Sequence, residues 1–418
     1  MSRIFLSPSK HDWEDTLDCD TFAPEAAFPY SMANVCTTWM NAMFVVSEFW
    51  TRIIILIDEK SPAPLAAARL ALSLAPAQAP LDIHICRKSY HHDERDSSEA
   101  ACVAAVLEVF KPEIGRWHNL SVDVLHGTSL PFPSHDLTGN APELLRLLLR
   151  SSDGIRGPVR RTLNKDTPLL VPSLRELCVD GYIYHDAYLD IMGTELLAWL
   201  RVLQVSRYAP SPDVPTFSVR DLWESVRGWT ELKMRLVDLA LDCADTGYVA
   251  FVRSLTLEQM PTDVIGALLQ DGVYCQCLRL GRCALPLGGI NLAYARTLVL
   301  EDIDGAENLR SAFGATSNAG SHEMNVTFRR CPSLDDAFLE MLSVPRDGRW
   351  VCPSMIALAI YDCPNFSDGA LRRMIDCRRK AHKESGFADK YDRWFVVHSI
   401  VEFSTDRGVE LGYSDLSD

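Results

Sequence analysis

The segment CPNFSDGAL, residues 363–371, repeats the layout of CPSLDDAFL, residues 331–339. In both segments the cysteine is followed by an apolar residue three places later, an aspartate five places later and a leucine eight places later. The two sets are Cys331, Leu334, Asp336 and Leu339, then Cys363, Phe366, Asp368 and Leu371. These shared offsets indicate a repeated architectural unit rather than a reactive site.

In a second pattern, an apolar residue is followed by two more, three and five positions later. Apolar residues two places apart in a strand face the same side, and one strand cannot bury that side alone. Stacked copies are therefore expected to form a parallel sheet with helices behind it. VPSLRELCV (171–179) and CPSMIALAI (352–360) align without a gap. The copies are Leu174, Leu177 and Val179; Leu236, Leu239 and Leu241; Val252, Leu255 and Leu257; Cys275, Leu278 and Leu280; Ala295, Leu298 and Leu300; and Met355, Leu358 and Ile360.

Each offset of the opening segment has a predicted structural role. Cys363 fills the bend after a strand, because a small, soft side chain is easily buried there. Phe366 returns to the core, Asp368 caps the next helix by accepting hydrogen bonds from its free N–H groups, and Leu371 lies one turn inside that helix. The residues from Cys331 onward are expected to repeat these roles one unit earlier.

The sequence predicts an α/β fold, an irregular solenoid with a parallel sheet in the form of a horseshoe. Further strands are predicted at RIIILI (52–57), LDIHI (81–85) and LSVDVL (120–125), and inserted loops at FPSHDLTGNAP (132–142) and APSPDVPTF (209–217). The predicted division is a poorly defined segment 1–27, a helical segment 28–51, divergent α/β units 52–140, a regular solenoid 141–405 and a tail 406–418.

Charge and cysteine usage restrict the class of partner and the compartment. The net charge of −15 disfavours nucleic acid and anionic membranes, so a basic or neutral protein is the easier partner. The basic run RRMIDCRRKAHK (372–383) is read as a solvated helix face, with a nuclear signal or an anion site as the alternative. Thirteen dispersed cysteines and an N-terminus without signal-peptide features predict the cytoplasm or nucleus, with no membrane span.

Motifs for catalysis or metal binding are absent from the sequence. It contains no GxxxxGK[ST] loop, GxSxG elbow or HExxH pair, so we expect no enzyme activity, no catalytic residue and no cofactor. Cys275, Cys277 and Cys283 lack zinc-like spacing, and His91 and His92 are more consistent with an exposed loop, so no metal site is predicted. Glu301, Asp302 and Asp304 form either a negative patch for a basic partner or an ordinary solvated loop.

Two parts of the chain resemble known families. The opening segments resemble the cysteine-containing class of leucine-rich repeat, with Asp335 where serine or threonine is usual. VCTTWMNAMFVVSEFW (35–50) resembles the second half of an F-box, and the chain as a whole resembles the F-box and leucine-rich-repeat proteins abundant in mushroom-forming fungi. The leucine-proline opening of an F-box is missing upstream. The residues that match are Val35, Cys36, Trp39, Phe49 and Trp50.

This resemblance implies the substrate-recognition subunit of an SCF-type cullin ubiquitin ligase. The F-box-like residues would bind the adaptor subunit, the repeats would hold a protein target, and partner subunits would perform the chemistry. The alternative is a leucine-rich-repeat scaffold that binds protein without a ligase connection, its residues 35–50 serving as a helical cap for the first strand. An independent enzyme is a third class, for which no motif is present.

Overall fold

A computed structural model gives the fold of the chain. It describes residues 32, 35–57, 63–87, 97–154, 169–189, 199–210, 216–245, 250–270, 273–287, 295–314, 324–345, 350–352, 355–384 and 401–402. The predicted segments 1–27 and 406–418 and the pair His91 and His92 lie outside these residues.

Strands and helices alternate along most of the described chain. The strands are β1 (Arg52–Leu56), β2 (Leu81–Cys86), β3 (Trp117–Val124), β4 (Gly139–Asn140), β5 (Arg146–Ser151), β6 (Leu169–Leu170), β7 (Glu176–Asp180), β8 (Val202–Tyr208), β9 (Lys233–Leu239), β10 (Ala250–Phe251), β11 (Ser254–Glu258), β12 (Val273–Gly281), β13 (Ala295–Glu301), β14 (Met324–Arg329), β15 (Met355–Tyr361) and β16 (Val401–Glu402). The helices are α1 (Thr37–Val45), α2 (Ala63–Leu74), α3 (Ser97–Phe110), α4 (Gly181–Ala187), α5 (Val219–Ser225), α6 (Thr262–Gln270), α7 (Ala306–Gly314), α8 (Asp336–Ser343) and α9 (Asp368–Glu384).

One large parallel sheet contains fourteen of the described strands. Thirteen of them follow the order β1-β2-β3-β5-β7-β8-β9-β11-β12-β13-β14-β15-β16, and β10 pairs beside them with β12. The strands of the path follow one another in chain order, while β4 and β6 pair with each other in a separate two-stranded sheet. The large sheet crosses the predicted boundary at residue 140 without a break. The expected α/β architecture with stacked parallel strands is confirmed, including the neighbouring 236, 255, 278 and 298 segments.

Two columns of buried apolar side chains cross twelve strands on one face of the sheet. Pairing aligns each member with the next, so the columns form a continuous core with the helices. Phe328 of β14 shows this packing, because it contacts Phe313 of α7 and Phe338 of α8 at ring-centroid distances of 6.2 and 5.6 Å. The first column is Ile53, Ile83, Leu120, Leu147, Leu177, Leu203, Met234, Leu255, Leu278, Leu298, Val326 and Leu358; the second is Ile55, Ile85, Val122, Leu149, Val179, Val205, Leu236, Leu257, Leu280, Leu300, Phe328 and Ile360.

The predicted alignment of one unit was wrong by five residues. Leu255 and Leu257 pair with Met234 and Leu236, whereas we expected Leu239 and Leu241 in those positions. Leu239 instead pairs with Tyr208, at the last residue of β9, where the chain begins to bend. Both leucines are buried, so the apolar spacing was read correctly but in the wrong frame. The apolar residue at a bend lies three places after a strand leucine, which is the same spacing as in the predicted strand pattern. Spacing alone therefore does not distinguish the two frames.

The helix caps differ from the prediction by one residue. Asp335, not Asp336, caps α8, because its carboxylate accepts a hydrogen bond from the N–H of Phe338 at 2.8 Å. Ser367 has the same role before α9, where its hydroxyl accepts from the N–H of Ala370 at 3.2 Å, so Asp368 is not the cap. Asp335 is thus equivalent to Ser367. A residue just outside the helix has the extended backbone needed to turn its side chain toward the free N–H groups.

Asp336 instead links two consecutive units. Its carboxylate accepts hydrogen bonds from both the backbone N–H and the hydroxyl of Ser367. These contacts lower the pKa of Asp336, the backbone hydrogen bond from Ser367 being the largest cause. Asn365 adds a side-chain hydrogen bond to the carbonyl oxygen of Pro332 at 2.7 Å. The repeated offsets therefore serve contacts between units as well as within them.

The insertion FPSHDLTGNAP (132–142) packs against the core and is not an exposed polar loop. Phe132, Leu137 and Ala141 are buried in the core. The carboxylate of Asp136 accepts a hydrogen bond from the N–H of Phe132 at 2.8 Å, which closes the turn. Part of the second predicted loop, APSPDVPTF, lies outside the described residues, and its Phe217 is buried. Apolar residues within a polar-looking loop were thus enough to anchor it.

Candidate functional site

Helix α1 leaves several of its apolar side chains exposed. It contains no charged residue, and the side chains from Val35 to Asn41 all lie in solvent in the structure. Val35 is 62% exposed, Trp39 42%, Met40 37% and Val45 84%. Exposed apolar side chains grouped in one short segment are a candidate contact site. We call these four residues the α1 apolar surface.

The base of α1 is held in the protein by Trp50. Trp50 is buried, and its indole N–H donates a hydrogen bond to the carbonyl oxygen of Met43 at 3.0 Å. Met43 is also buried, and Phe49 is partly buried. The five F-box-like residues therefore divide into exposed Val35, Cys36 and Trp39, and anchoring Phe49 and Trp50. The sequence did not distinguish these two groups.

The sheet has a face opposite the helices, which we call the open face. Its central positions on β11, β13, β14 and β15 are Thr256, Val299, Thr327 and Ala359, all partly exposed. Arg235 and Arg279 occupy the equivalent positions on β9 and β12, so from β9 to β15 small, uncharged side chains at the centre of the open face are confined to these four strands. The repeat pattern predicted that the residues between the core leucines face outward, and these four residues do so.

Charged groups border this region at the carboxyl ends of the strands. Arg235 donates two hydrogen bonds to the carboxylate of Glu258, at 3.1 and 2.9 Å, and Arg282 approaches the same carboxylate at 3.0 Å. Glu258 is buried, and a guanidinium on either side compensates its charge. Sequence analysis did not select these residues. A glutamate directly after the second strand leucine, as at Glu258 and Glu301, was the available signal.

A second ion-pair network surrounds Glu301. Its carboxylate accepts hydrogen bonds from Arg279 and Arg330, and Arg330 also donates to Asp302 at 2.8 and 2.9 Å. Burial raises the pKa of Glu301, but the hydrogen bonds and charges of Arg279 and Arg330 outweigh burial, so the pKa lies below its usual value. The prediction of either a negative patch or an ordinary solvated loop is therefore corrected: most of this segment's negative charge is paired. Glu301 and Asp302 are compensated by arginines, and Asp304 alone of the three is exposed.

A polar ladder runs across the first half of the open face. Asn119 donates to the carboxylate of Asp82 and accepts a hydrogen bond from Arg146 at 3.0 Å, and Arg146 lies 4.0 Å from Glu176. These residues occupy equivalent positions on β2, β3, β5 and β7. Near them, burial and then the charge of Arg52 lower the pKa of His84 to about 4, so this imidazole is neutral at pH 7.

Several cysteines of the described chain lie at the bends or in the core. Cys283, Cys331 and Cys363 occupy equivalent bends after β12, β14 and β15, and Cys331 donates to the carbonyl oxygen of Leu300 at 3.3 Å. Burial raises the pKa of Cys275 to about 12, which disfavours the reactive thiolate. Within the described part of the chain, no group of three or more acidic, histidine or cysteine side chains is arranged to hold a metal.

The basic run at 372–383 is partly structural. Leu371 and Met374 are buried in the core, as predicted for the apolar side of α9. Arg378 is buried too, and its guanidinium donates to the carbonyl oxygens of Leu342, Cys352 and Val351. Burial lowers the pKa of Arg378 to about 10. This arginine joins α9 to the preceding unit and is not part of an accessible basic signal.

A small cleft lies at the carboxyl ends of β8, β9 and β11. It is lined mostly by apolar side chains, including Tyr208, Phe217 and Leu241, together with Asp242 and Asp263. No helix among the described residues has the length and apolarity required to cross a bilayer. A scan of protein-family models and a search of curated proteins each give no match for this chain.

Proposed function

We propose that the chain is a leucine-rich-repeat horseshoe that binds a protein target and connects it to an SCF-type cullin ubiquitin ligase through residues 35–50. The solenoid reading is supported by the two apolar columns, by the sequential order of the strands and by the bends that recur after them. Its α1 apolar surface would contact the adaptor subunit, and its open face and strand edges would contact the target.

The observation that carries the ligase proposal is that the residues around α1 separate into a buried group and an exposed group. Trp50 and Met43 hold the segment against the protein, while Val35, Trp39 and Met40 are exposed. A helix of uncharged residues that leaves a tryptophan in solvent gains free energy when another surface covers it. Residues 35–50 are also the ones that resemble an F-box, which docks on the adaptor.

The test is capture of the full-length protein by the purified adaptor. The intact chain should bind, and Trp39→Ala should abolish capture without changing the thermal unfolding midpoint, because Trp39 is partly exposed. Trp50→Ala removes a buried aromatic side chain and should cost about 3–5 kcal/mol of stability, so it reports on folding instead. Leu70→Ala, at an exposed apolar residue of α2, is the matched control and should bind normally.

The alternative function is a protein-binding scaffold with no ligase connection. In that case α1 would be a helical cap on the first strand, and another segment of the same chain would cover its apolar surface. Absence of adaptor capture by the intact, folded chain would favour this scaffold. Capture that survives Trp39→Ala would show that α1 is not the contact surface.

A further inference from the structure

Five cationic side chains line the edge where the strands of the middle of the sheet begin. Pairing brings their strands side by side, because Glu176, Val202, Lys233, Ser254, Cys277 and Thr297 follow one another across the sheet. All five cations are exposed. We call this set the strand-start rim: Arg175, Arg201, Lys233, Arg253 and Arg296.

The charge of this rim is only partly compensated. Among the described residues, Arg253 pairs with Glu231 at 3.4 Å, whereas Arg175, Arg201 and Arg296 form no ion pair. The opposite edge differs, since the carboxylates of Glu258 and Glu301 each bind two arginines there. Arg175, Arg201 and Arg296 are therefore exposed cations without an ion pair among the described residues, on a chain of net charge −15.

Exposed aromatic residues stand on the same edge. Phe251, half exposed, stacks on Tyr274 with ring centroids 4.6 Å apart and an interplanar angle of 9°. Trp199 is 61% exposed and precedes β8 by the same number of residues by which Phe251 precedes β11. Arginine, tryptophan and tyrosine are the residues that most often carry the binding energy of protein interfaces.

We infer that the strand-start rim binds an acidic, extended segment of the target protein. The inference rests on the proposed function only in taking the ligand to be a protein, and it names the chemistry of that ligand. Neighbouring strands lie about 4.8 Å apart, so the six adjacent strands β7, β8, β9, β11, β12 and β13 span about 24 Å, which roughly seven extended residues cover. Carboxylates of such a segment would meet the arginines, and its remaining side chains would pack on Phe251 and Tyr274. The acidic chain as a whole repels a continuous phosphate backbone, which favours a peptide over nucleic acid.

The experiment measures binding of three fluorescein-labelled probes to the full-length protein by anisotropy. The probes are a peptide of alternating glutamate and threonine, its lysine counterpart, and a single-stranded oligodeoxythymidine. The glutamate peptide should bind, with an affinity that falls as salt rises. The double variant Arg201→Glu, Arg296→Glu should weaken binding by about tenfold or more. Arg372→Glu, Arg373→Glu makes the same charge change at exposed positions of α9 and should leave the affinity within about twofold.

Several outcomes would overturn the inference: no binding of the glutamate peptide, equal weakening by both double variants, or preference for the oligonucleotide or the lysine peptide. Both double variants change only exposed arginines, so their unfolding curves should match that of the parent protein. The assay contains no adaptor, and the adaptor assay contains no peptide. Failure of the rim prediction is therefore distinguishable from failure of the ligase proposal.

Discussion

At the residue scale, the bends that end the strands impose an unusual backbone conformation. Seven residues at equivalent positions have φ between 47° and 57°, in the left-handed region. Several of them donate their N–H to the next strand, as Gln259 does to Gly281 at 3.0 Å. The hydrogen bonding between units therefore maintains a conformation that costs about 1–2 kcal/mol for a residue other than glycine. The seven are Arg207, Asp238, Gln259, Arg282, Asp302, Arg330 and Asp362.

Gln259 offers a direct test of this strain. Its side chain is exposed, so substitutions there change the backbone preference with little effect on packing. Gln259→Gly should be at least as stable as the parent protein, whereas Gln259→Val should lose about 1–2 kcal/mol, because a β-branched residue tolerates positive φ poorly. Urea unfolding followed by circular dichroism measures the difference. Equal stability of the two variants would show that the bend relaxes and stores no strain.

The residue scale also shows what local sequence could reveal. The cysteine at the bend was identified from its spacing alone, and Cys331 is fully buried there. The left-handed residue directly before it was not, because arginine and glutamine give no sign of positive φ, and aspartate, although enriched there, is common in turns of every kind. Glycine would have given that sign. Hydrogen bonds to the next strand impose the conformation, and they form only when the strands are in register.

At the scale of single elements, capping determines where the repeat helices begin. Asp335 accepts from the N–H of Phe338, and it also pairs with Arg310 of α7 at 2.8 Å. One carboxylate thus starts α8 and ties it to the preceding helix. The sequence predicted an acidic cap but placed it one residue too late. Both neighbouring aspartates can accept hydrogen bonds, and the backbone conformation alone selects between them.

Substitutions at Asp335 separate the cap from the ion pair. Asp335→Ala should lower the free energy of unfolding by about 1 kcal/mol or slightly more, through loss of the cap. Asp335→Ser should recover most of that loss, because serine performs the same function at Ser367. Glu340→Ala on the exposed side of α8 is the matched control and should change stability by less than about 0.5 kcal/mol. If serine and alanine were equally destabilising, the ion pair with Arg310 would be the stabilising contact instead.

At the scale of the whole molecule, stability depends on each unit covering the next. Leu280 is fully buried, between Leu257 and Leu300 in the second apolar column. A leucine in such a column contacts two neighbouring strands and the helical layer, so its removal weakens contacts on both sides. Because the units contact only their neighbours, the column also joins successive parts of the core into one structure.

Truncation of Leu280 tests this dependence. Leu280→Ala should lower the free energy of unfolding by about 3 kcal/mol, since the cavity would lie within a continuous core. Leu287→Ala removes the same atoms from a side chain that is 66% exposed and should cost less than about 0.5 kcal/mol. Chemical denaturation of the full chain compares the two variants. Similar losses for both would contradict a continuous core at Leu280.

By itself the sequence determined the parallel arrangement of the strands, because paired leucines on one face can be buried only by neighbouring copies of themselves. It also singled out residues 35–50 as a segment of different character. Only the tertiary structure decided which frame the 236 unit adopts, which aspartate caps α8, and that Trp50 is buried while Trp39 is exposed. Hydrophobic spacing is a local property that survives in one dimension. Register, charge pairing and exposure depend on which residues meet across strands, and those contacts exist only in the folded chain.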